Sequence, residues 1–325
     1  MNLVTRVVLV LAAVLAVAFG VFVVTAWAPD RPVDELRERW APEPSRFLEI
    51  DGMSVHLRDE GLRDNAGNGS ADSGPPIVLL HGTSDSLHTW NGWAEVLGRD
   101  RRVIRFDMPG FGLTGPFPHD DYRIERYVEF VLTVLDELDV DKAVLGGNSL
   151  GGRIAWEAAH AAPERVPALV LVASAGYPAD SSMPIGFRMA QIPLFEPLMT
   201  RMLPRSMIRA SVRDVYGDPD QVTPELVDRY YELTLREGNR AALVRRFAAD
   251  DMEGDPERIR GLEQPALVLW GARDRLLPPE AAGRFHEDLP NSEMTLYEDL
   301  GHVPQEEAPT RTANRVRDFL SDKEL

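Results

Sequence analysis

The chain has 325 residues, of which 44% are hydrophobic and 27% charged, so it can form one large domain with an accessory segment and does not resemble a disordered chain. Its 52 acidic residues outnumber 35 basic ones, and the formal net charge of -17 would repel a nucleic acid, so we expect no nucleic-acid partner. There are no cysteines, which excludes disulfides, thiolate metal sites and cysteine nucleophiles.

The N-terminus carries an uncharged apolar run, Val7–Ala26, that is long enough to span a bilayer as one helix. Trp27 follows at the position of an interfacial aromatic residue. The alternative is a cleaved signal peptide, since Ala26-Trp27-Ala28 has the small-x-small form, but Pro29 would be a poor residue after a cut. We expect residues 1–28 to form an uncleaved single-pass membrane anchor, with the rest of the chain on the extracytoplasmic side.

Residues 29–45 are rich in proline and charge, and they predict a juxtamembrane spacer with one short helix over Val33–Trp40. Two strands, Phe47–Ile50 and Met53–Asp59, are expected to follow as a β-hairpin. The next segment, Gly61–Pro76, is rich in Gly, Asn and Ser and predicts a surface loop.

Short apolar runs then alternate with amphipathic stretches. Near-continuous segments of Val, Leu and Ile are typical of parallel strands that are covered on both faces. The stretch Ile124–Leu138 repeats apolar residues at helical spacing. The alternation predicts a doubly wound, mostly parallel α/β sheet. The predicted strands are Ile77–Leu80, Val103–Phe106, Ala143–Leu145, Leu169–Val172, Ala266–Trp270 and Met294–Tyr297.

The alternation stops over residues 177–255, where prolines interrupt helical stretches and no strand pattern is found. We expect a helical cap inserted into the sheet domain, which then comprises residues 46–176 and 256–325. Five of the ten methionines fall between Met183 and Met207. They either pack the cap against itself or line an adaptable apolar pocket, since methionine is flexible and polarizable.

The segment Gly147-Asn148-Ser149-Leu150-Gly151 is the one Gly-x-Ser-x-Gly pattern of the chain. It directly follows a predicted strand and opens an Ala-rich helical stretch, Ile154–Ala162. A sharp turn between strand and helix strains such a serine and exposes its hydroxyl at the carboxyl edge of the sheet. We therefore predict that Ser149 is a nucleophile.

A serine nucleophile needs a base, and seven histidines are candidates. We predict His302, because it follows the last strand and precedes a helical stretch, Glu306–Leu320, on a loop at the same sheet edge. His88 and His119 lie on or near loops and stay open as alternatives. Asp274 lies four residues past the next-to-last strand, where a carboxylate would fix the tautomer of the base.

These segments resemble the α/β-hydrolase superfamily, and the resemblance covers residues 47–325. The chain order Ser, Asp, His is the one that this fold uses. The turn His81-Gly82-Thr83 is similar to the family's oxyanion turn, and Asp107–Gly112 is similar to its Asp-x-x-Gly-x-Gly loop. The resemblance implies an α/β-hydrolase fold with an inserted cap, and an oxyanion hole made by the backbone N–H groups of Thr83 and Leu150.

Within this superfamily, haloalkane dehalogenases and epoxide hydrolases use an aspartate at the position of Ser149, so the serine argues against both. Three enzymatic hypotheses are left. The first is a carboxylesterase or lipase acting on a small hydrophobic ester. The second is a carbon–carbon hydrolase of the meta-cleavage product type, which Gly147–Gly152 resembles. That family usually has Gly-Pro-Gly and Trp where this chain has Thr83-Ser84-Asp85 and Val303. The third is a cofactor-free perhydrolase, and a membrane-tethered binding protein on the same fold is a hypothesis of a different class.

No cofactor and no metal are expected. Gly110–Gly115 fits the pattern Gly-x-Gly-x-x-Gly, but Pro116 prevents the helix that a dinucleotide fingerprint must open. The chain has no His-Glu-x-x-His or Walker motif. The sequence leaves the oligomeric state and the physiological ester open.

Overall fold

The computed structural model describes residues 3–62, 74–177, 200–249 and 254–325. Its strands are β1 (Arg46–Ile50), β2 (Met53–Gly61), β3 (Ile77–Leu80), β4 (Arg102–Phe106), β5 (Val144–Asn148), β6 (Leu169–Val172), β7 (Ala266–Gly271) and β8 (Ser292–Tyr297). They form one sheet in the order β1-β2-β4-β3-β5-β6-β7-β8, antiparallel at β1–β2 and β2–β4 and parallel elsewhere. The predicted hairpin and the mostly parallel sheet are confirmed.

Helices cover both faces of this sheet. Successive residues of β3 enter different apolar clusters, Val78 and Leu80 on one face and Ile77 and Leu79 on the other, as the period of two in a strand requires. The helices are α1 (Leu3–Ala26), α2 (Val33–Trp40), α3 (Asn91–Leu97), α4 (Ile124–Glu137), α5 (Leu150–Ala161), α6 (Arg205–Val215), α7 (Pro224–Thr234), α8 (Asn239–Ala248), α9 (Pro256–Arg260), α10 (Glu280–Asp288), α11 (Pro304–Glu307) and α12 (Pro309–Asp322).

Several element boundaries differ from those predicted. Strand β5 continues to Asn148 instead of ending at Leu145, because the two glycines between them pair with β6. Helix α5 begins at Leu150 instead of Ile154. The stretch predicted as one helix over 306–320 is two helices, since Ala308 precedes a proline and leaves the helical conformation with φ of -139° and ψ of 62°.

The turn between β5 and α5 packs tightly on the sheet through Gly151. A Cβ atom added at Gly151 would lie 2.1 Å from the carbonyl oxygen of Leu80 and 2.7 Å from that of His81. These are backbone atoms of the neighbouring strand and turn, which cannot move aside cheaply. Strand β5 and helix α5 therefore approach the neighbouring backbone closely at this position.

We expect Gly151→Ala to lower the free energy of unfolding by about 3 kcal/mol or more, because the added methyl group overlaps backbone. Urea unfolding measures the change. Gly283→Ala in α10 is the matched control, since a Cβ atom there meets nothing within 4 Å and the substitution should be neutral or stabilising. Equal unfolding midpoints for the two variants would contradict the account of the turn.

The N-terminal helix α1 is long and apolar enough over Thr5–Ala26 to be a membrane anchor or a signal sequence, and Ala26, at its end, is the one residue of this span that is buried. Its end is joined to the chain just before α6 by backbone hydrogen bonds. The N–H of Leu203 donates to the carbonyl of Ala26 at 2.8 Å, and that of Ala28 donates to the carbonyl of Arg201 at 3.0 Å. The predicted helix of the spacer is confirmed as α2.

The region predicted as a cap is only partly described. Its described residues, 200–249, contain α6, α7 and α8 and no strand of the sheet. The methionines Met183, Met189 and Met199 lie outside the described residues, as does most of the predicted loop over 61–76. The domain boundaries therefore stay predictions.

Candidate active site

Ser149 occupies the turn between β5 and α5 in a strained backbone conformation, with φ of 54° and ψ of -115°. Residues other than glycine rarely adopt a positive φ. Two hydrogen bonds hold the serine there: its N–H donates to the carbonyl of Val172 at 3.1 Å, and its carbonyl accepts from the N–H of Ala175 at 3.0 Å. An unfavourable backbone conformation that is held in place by its surroundings is typical of functional sites.

His302 and Asp274 form a buried pair on the loops that follow β8 and β7. The imidazole Nδ1 lies 2.8 Å from Oδ2 of Asp274. The other carboxylate oxygen accepts from the N–H groups of Leu276 and Leu277 at 2.8 and 3.0 Å. Because an ionised carboxylate only accepts hydrogen bonds, Nδ1 carries the proton and Nε2 is left with a free lone pair.

The side chain of Asn148 connects the loop of His302 to the strand that ends at Ser149. Its amide nitrogen donates to the carbonyl of His302 at 2.9 Å and to that of Val172 at 3.1 Å. Hydrogen bonds of Asn148 thus connect the loop of His302 to the backbone around Ser149 at the sheet edge. The sequence identified Asn148 only as the second residue of the pentapeptide, since its partner lies 154 positions away.

The end of helix α6 holds the same loop from the cap side. The N–H of His302 donates to the carbonyl of Val215 at 2.7 Å. The carboxylate of Glu307 accepts from the N–H groups of Gly301 and Gly217 at 2.7 and 2.8 Å. His302 is therefore positioned jointly by the sheet domain and the cap.

The two predicted oxyanion donors both belong to backbone next to Ser149. A Cβ atom added at Gly82 would be 3.3 Å from the Cβ of Ser149, so the turn that carries Thr83 lies against the serine. Leu150 is the first residue of α5, where a backbone N–H has no acceptor within its own helix. In the part of the chain that the structure describes, neither Thr83 nor Leu150 uses its N–H in a hydrogen bond.

A second arrangement of Ser, His and Asp lies at the carboxyl end of β4. His56 Nδ1 is 2.7 Å from Asp107 Oδ2, and His56 Nε2 is 2.9 Å from the hydroxyl of Ser45. Burial raises the pKa of Asp107, but His56, His88 and His81 lower it, and together they hold this pKa well below its ordinary value. The hydroxyl oxygen of Ser45 also accepts from Arg58 Nε at 2.9 Å. The arrangement ties the spacer to the sheet domain.

The two histidines left open by the sequence are found elsewhere. His88 is buried, and its ring nitrogens contact the carbonyl of Trp40 at 2.8 Å and the hydroxyl of Ser86 at 3.0 Å. Burial lowers the pKa of His88 to about 3. His119 is exposed. Neither histidine is hydrogen-bonded to Asp274 in the described structure.

A buried charged cluster, missed by sequence reasoning, joins the cap to the site. Arg229 of α7 lies 3.5 Å from the carboxylate of Asp85 and 2.6 Å from that of Glu306. The hydroxyl oxygen of Tyr230 lies within hydrogen-bond distance of both carboxylates, at 3.0 and 3.1 Å, and its single proton can be donated to either one. Asp85 follows the predicted oxyanion turn and Glu306 follows His302. Residues more than 75 positions apart meet here, and no local pattern signals the cluster.

Burial raises the pKa of Asp85 to about 7, while Arg229 lowers it and Glu306 raises it. An aspartate in the unfolded chain has a pKa of about 3.9, so the folded protein binds this proton more tightly between about pH 4 and pH 7. The free energy of unfolding therefore falls as the pH rises through this window.

We expect Asp85→Asn to remove this dependence, which amounts to roughly 2–4 kcal/mol. Thermal unfolding between about pH 5 and pH 8 measures it. The melting temperature of the variant should rise relative to that of the wild type as the pH increases. Parallel pH profiles for the two proteins would contradict the assignment.

Comparisons with known proteins agree with this architecture. The sequence pattern of the family described as alpha/beta hydrolase fold matches residues 75–309. A 2-hydroxy-6-oxo-2,4-heptadienoate hydrolase of Pseudomonas putida is 30% identical over 290 residues, which cover 86% of this chain and 97% of the relative. An uncharacterized hydrolase of Bacillus subtilis is 29% identical over 283 residues, covering 86% of this chain and 99% of the relative.

Two solved structures share the fold. A meta-cleavage product hydrolase of Pseudomonas fluorescens superposes with a TM-score of 0.73 at 24% identity, covering 86% of this chain and 98% of its own. A bacterial membrane phospholipase A superposes with a TM-score of 0.69 at 24% identity, covering 98% of both chains. With the eight-stranded sheet and the serine turn, the family match over residues 75–309 and the relative at 30% identity establish that the chain belongs to the α/β-hydrolase-fold family of hydrolases.

Proposed function

We propose that this hydrolase is a membrane-tethered serine esterase that cleaves carboxylic esters with an apolar acyl or alcohol part through an acyl-enzyme. One observation carries the proposal: the His302–Asp274 pair is tied through Asn148 to the strand that ends at strained Ser149. Base, orienting acid and nucleophile are then available at one edge of the sheet, which is the arrangement that covalent acyl transfer requires.

In the proposed reaction Ser149 Oγ attacks the ester carbonyl and gives its proton to His302 Nε2. Asp274 holds the imidazole in the required tautomer and stabilises the imidazolium. The N–H groups of Thr83 and Leu150 donate to the oxyanion. His302 then protonates the alcohol oxygen as the C–O bond breaks, which releases the alcohol and leaves the acyl-enzyme. A water molecule gives a proton to His302 and attacks the acyl carbonyl, and His302 returns that proton to Ser149 Oγ as the acid leaves.

The charged cluster next to the site favours an ester over a dienoate substrate. A heptadienoate carries a carboxylate, which needs a cation in a buried site. Within the described residues, the buried cation beside the turn of Thr83 is Arg229, and it is already paired with Asp85 and Glu306. Glu306 already neutralises this guanidinium, and Asp85 adds a second negative charge above about pH 7, so a neutral substrate fits better.

The N-terminal helix supports an apolar substrate and a membrane location. Its end at Ala26 is hydrogen-bonded to the cap, so an anchored α1 would hold the cap beside the bilayer. The fold likeness to a membrane phospholipase A extends over 98% of this chain and so takes in most of α1. We place the catalytic domain on the extracytoplasmic side, as the sequence predicts.

We expect a rise in kcat/KM of at least about tenfold from the acetate to the octanoate nitrophenyl ester, because each methylene buried in an apolar pocket adds favourable binding. The series is measured with the full-length protein in detergent micelles. Ser149→Ala in the same preparation corrects for hydrolysis by other groups. A preference for acetate would contradict the apolar pocket.

Carbon–carbon bond cleavage is the second candidate, favoured by the 30% identity to the heptadienoate hydrolase. To test for this activity, the same preparation is incubated with 2-hydroxy-6-oxohepta-2,4-dienoate, and cleavage is measured as a loss of dienoate absorbance. Turnover of the dienoate faster than that of the octanoate ester would replace the esterase proposal.

A further inference from the structure

We infer that the start of helix α6 lies on the surface of an anionic phospholipid bilayer, next to the point where α1 leaves the membrane, with Met207 facing the lipid and Arg201 and Arg209 beside it. The inference rests on the membrane anchoring in the proposed function. It adds a second contact between the catalytic domain and the bilayer.

The backbone fixes the start of α6 beside the end of α1. Trp27 and Met202 face each other as an antiparallel bridge, flanked by the two hydrogen bonds of Ala26 and Ala28. Paired strands lie about 5 Å apart, so residues 201–203 lie within that distance of the membrane boundary if α1 spans the bilayer. Ala26 and Ala28 are buried by this pairing while Trp27 is 54% exposed, as an interfacial indole would be.

The exposed surface that starts α6 has the chemistry of a lipid contact. Met207 is 42% exposed although it is a large apolar side chain. Arg201 and Arg209 are exposed, and neither has a carboxylate partner within the described residues. Asp214 is the one acidic residue of α6 and lies at the other end of the helix. The end next to the anchor is therefore the cationic end.

The exposed arginines at the start of α6 stand out because the chain as a whole is strongly negative. The formal net charge of -17 would repel an anionic bilayer, so a domain held at its surface favours an orientation that presents its cations. Each arginine near an anionic surface favours the bound orientation about fivefold. Arg201 and Arg209 together therefore favour it by roughly 25-fold.

The same helix leads from this surface to the site. Helix α6 ends at Val215, whose carbonyl accepts the N–H of His302 at 2.7 Å. Its 11 residues span roughly 16 Å at the rise of an α-helix. An ester drawn from the bilayer would therefore reach the loop of His302 along one short helix.

Because the chain has no cysteine, single thiols can report on this surface in the full-length protein. Met207→Cys carries an environment-sensitive fluorophore, and Met294→Cys on edge strand β8 is the matched control, since the two methionines are 42% and 40% exposed. Both proteins are placed in nanodiscs of phosphatidylcholine with phosphatidylglycerol, or of phosphatidylcholine alone, and quenched with spin-labelled lipid. Circular dichroism checks that each variant is folded.

We expect at least about twofold stronger quenching at position 207 than at 294 in the anionic nanodiscs, and less in the neutral ones. Arg201→Gln with Arg209→Gln should reduce quenching at 207 to the neutral level. Equal quenching at 207 and 294, or no effect of the arginine substitutions, would overturn the inference. A blue shift at 207 that grows with protein concentration in lipid-free detergent would assign the surface to a second copy of this chain.

Two further outcomes separate this inference from the proposed function. Failure of the full-length protein to assemble into nanodiscs would overturn the anchor and the surface together. Strong quenching at 207 in a protein that hydrolyses no ester would overturn the esterase and leave the surface standing.

Discussion

Ser149→Ala is expected to lower kcat/KM for the octanoate ester by about 10⁴-fold or more, because it removes the hydroxyl that forms the acyl-enzyme. The alanine keeps the Cβ atom and the backbone hydrogen bonds of the turn, so the free energy of unfolding should change by less than about 1 kcal/mol. Hydrolysis and thermal unfolding of the same purified variant check both expectations.

Ser45→Ala is the matched control, since Ser45 also lies within hydrogen-bond distance of a histidine that is paired with an aspartate. Its hydroxyl oxygen is occupied by Arg58, and no strained turn exposes it, so we expect hydrolysis within about twofold of the wild type. Loss of hydrolysis in Ser45→Ala but not in Ser149→Ala would exchange the roles of the two serines.

Asp274→Asn is expected to lower kcat by about 10⁴-fold with little loss of stability. The N–H groups of Leu276 and Leu277 bind one carboxylate oxygen, and they would hold the amide oxygen of asparagine in the same place. The amide NH₂ would then face Nδ1 of His302. The imidazole would have to accept at Nδ1 and carry its proton on Nε2, where it could not take the proton of Ser149.

Asp299→Asn is the control for Asp274→Asn, because it removes a carboxylate from the loop of His302 that does not contact the imidazole. Asp299 is exposed and paired with Arg311 at 2.7 Å, so its substitution should leave kcat within about twofold of the wild type. If Asp274→Asn retained most of its activity, a different acid would orient the base.

The sequence was sufficient for the parts of the fold that depend on local patterns. The alternation of apolar runs predicted the parallel sheet, and glycines around Ser149 predicted a turn that the structure shows with a positive φ. The strand was predicted to end too early, at Leu145. Gly146 and Gly147 have no side chains that indicate a strand, yet their backbones pair with β6. Boundaries set by pairing partners are not visible in a local window.

Contacts between distant segments could not be predicted. The link from Asn148 to the carbonyl of His302 and the cluster around Arg229 depend on how the cap and the loops pack on the sheet edge. The pairing of His56 with Asp107 emerges only when β2 lies beside β4. Hydrogen bonds of this kind connect chemically ordinary residues, so no composition or period marks them in advance.

Reaction with a fluorophosphonate reports directly whether Ser149 is the activated nucleophile. Full-length wild-type protein is treated with the reagent, digested, and mapped by mass spectrometry. We expect one phosphonyl adduct per chain, on the peptide that contains Ser149. A folded protein that forms no adduct, or that carries it on Ser45 or another serine, would show that Ser149 is not the activated nucleophile.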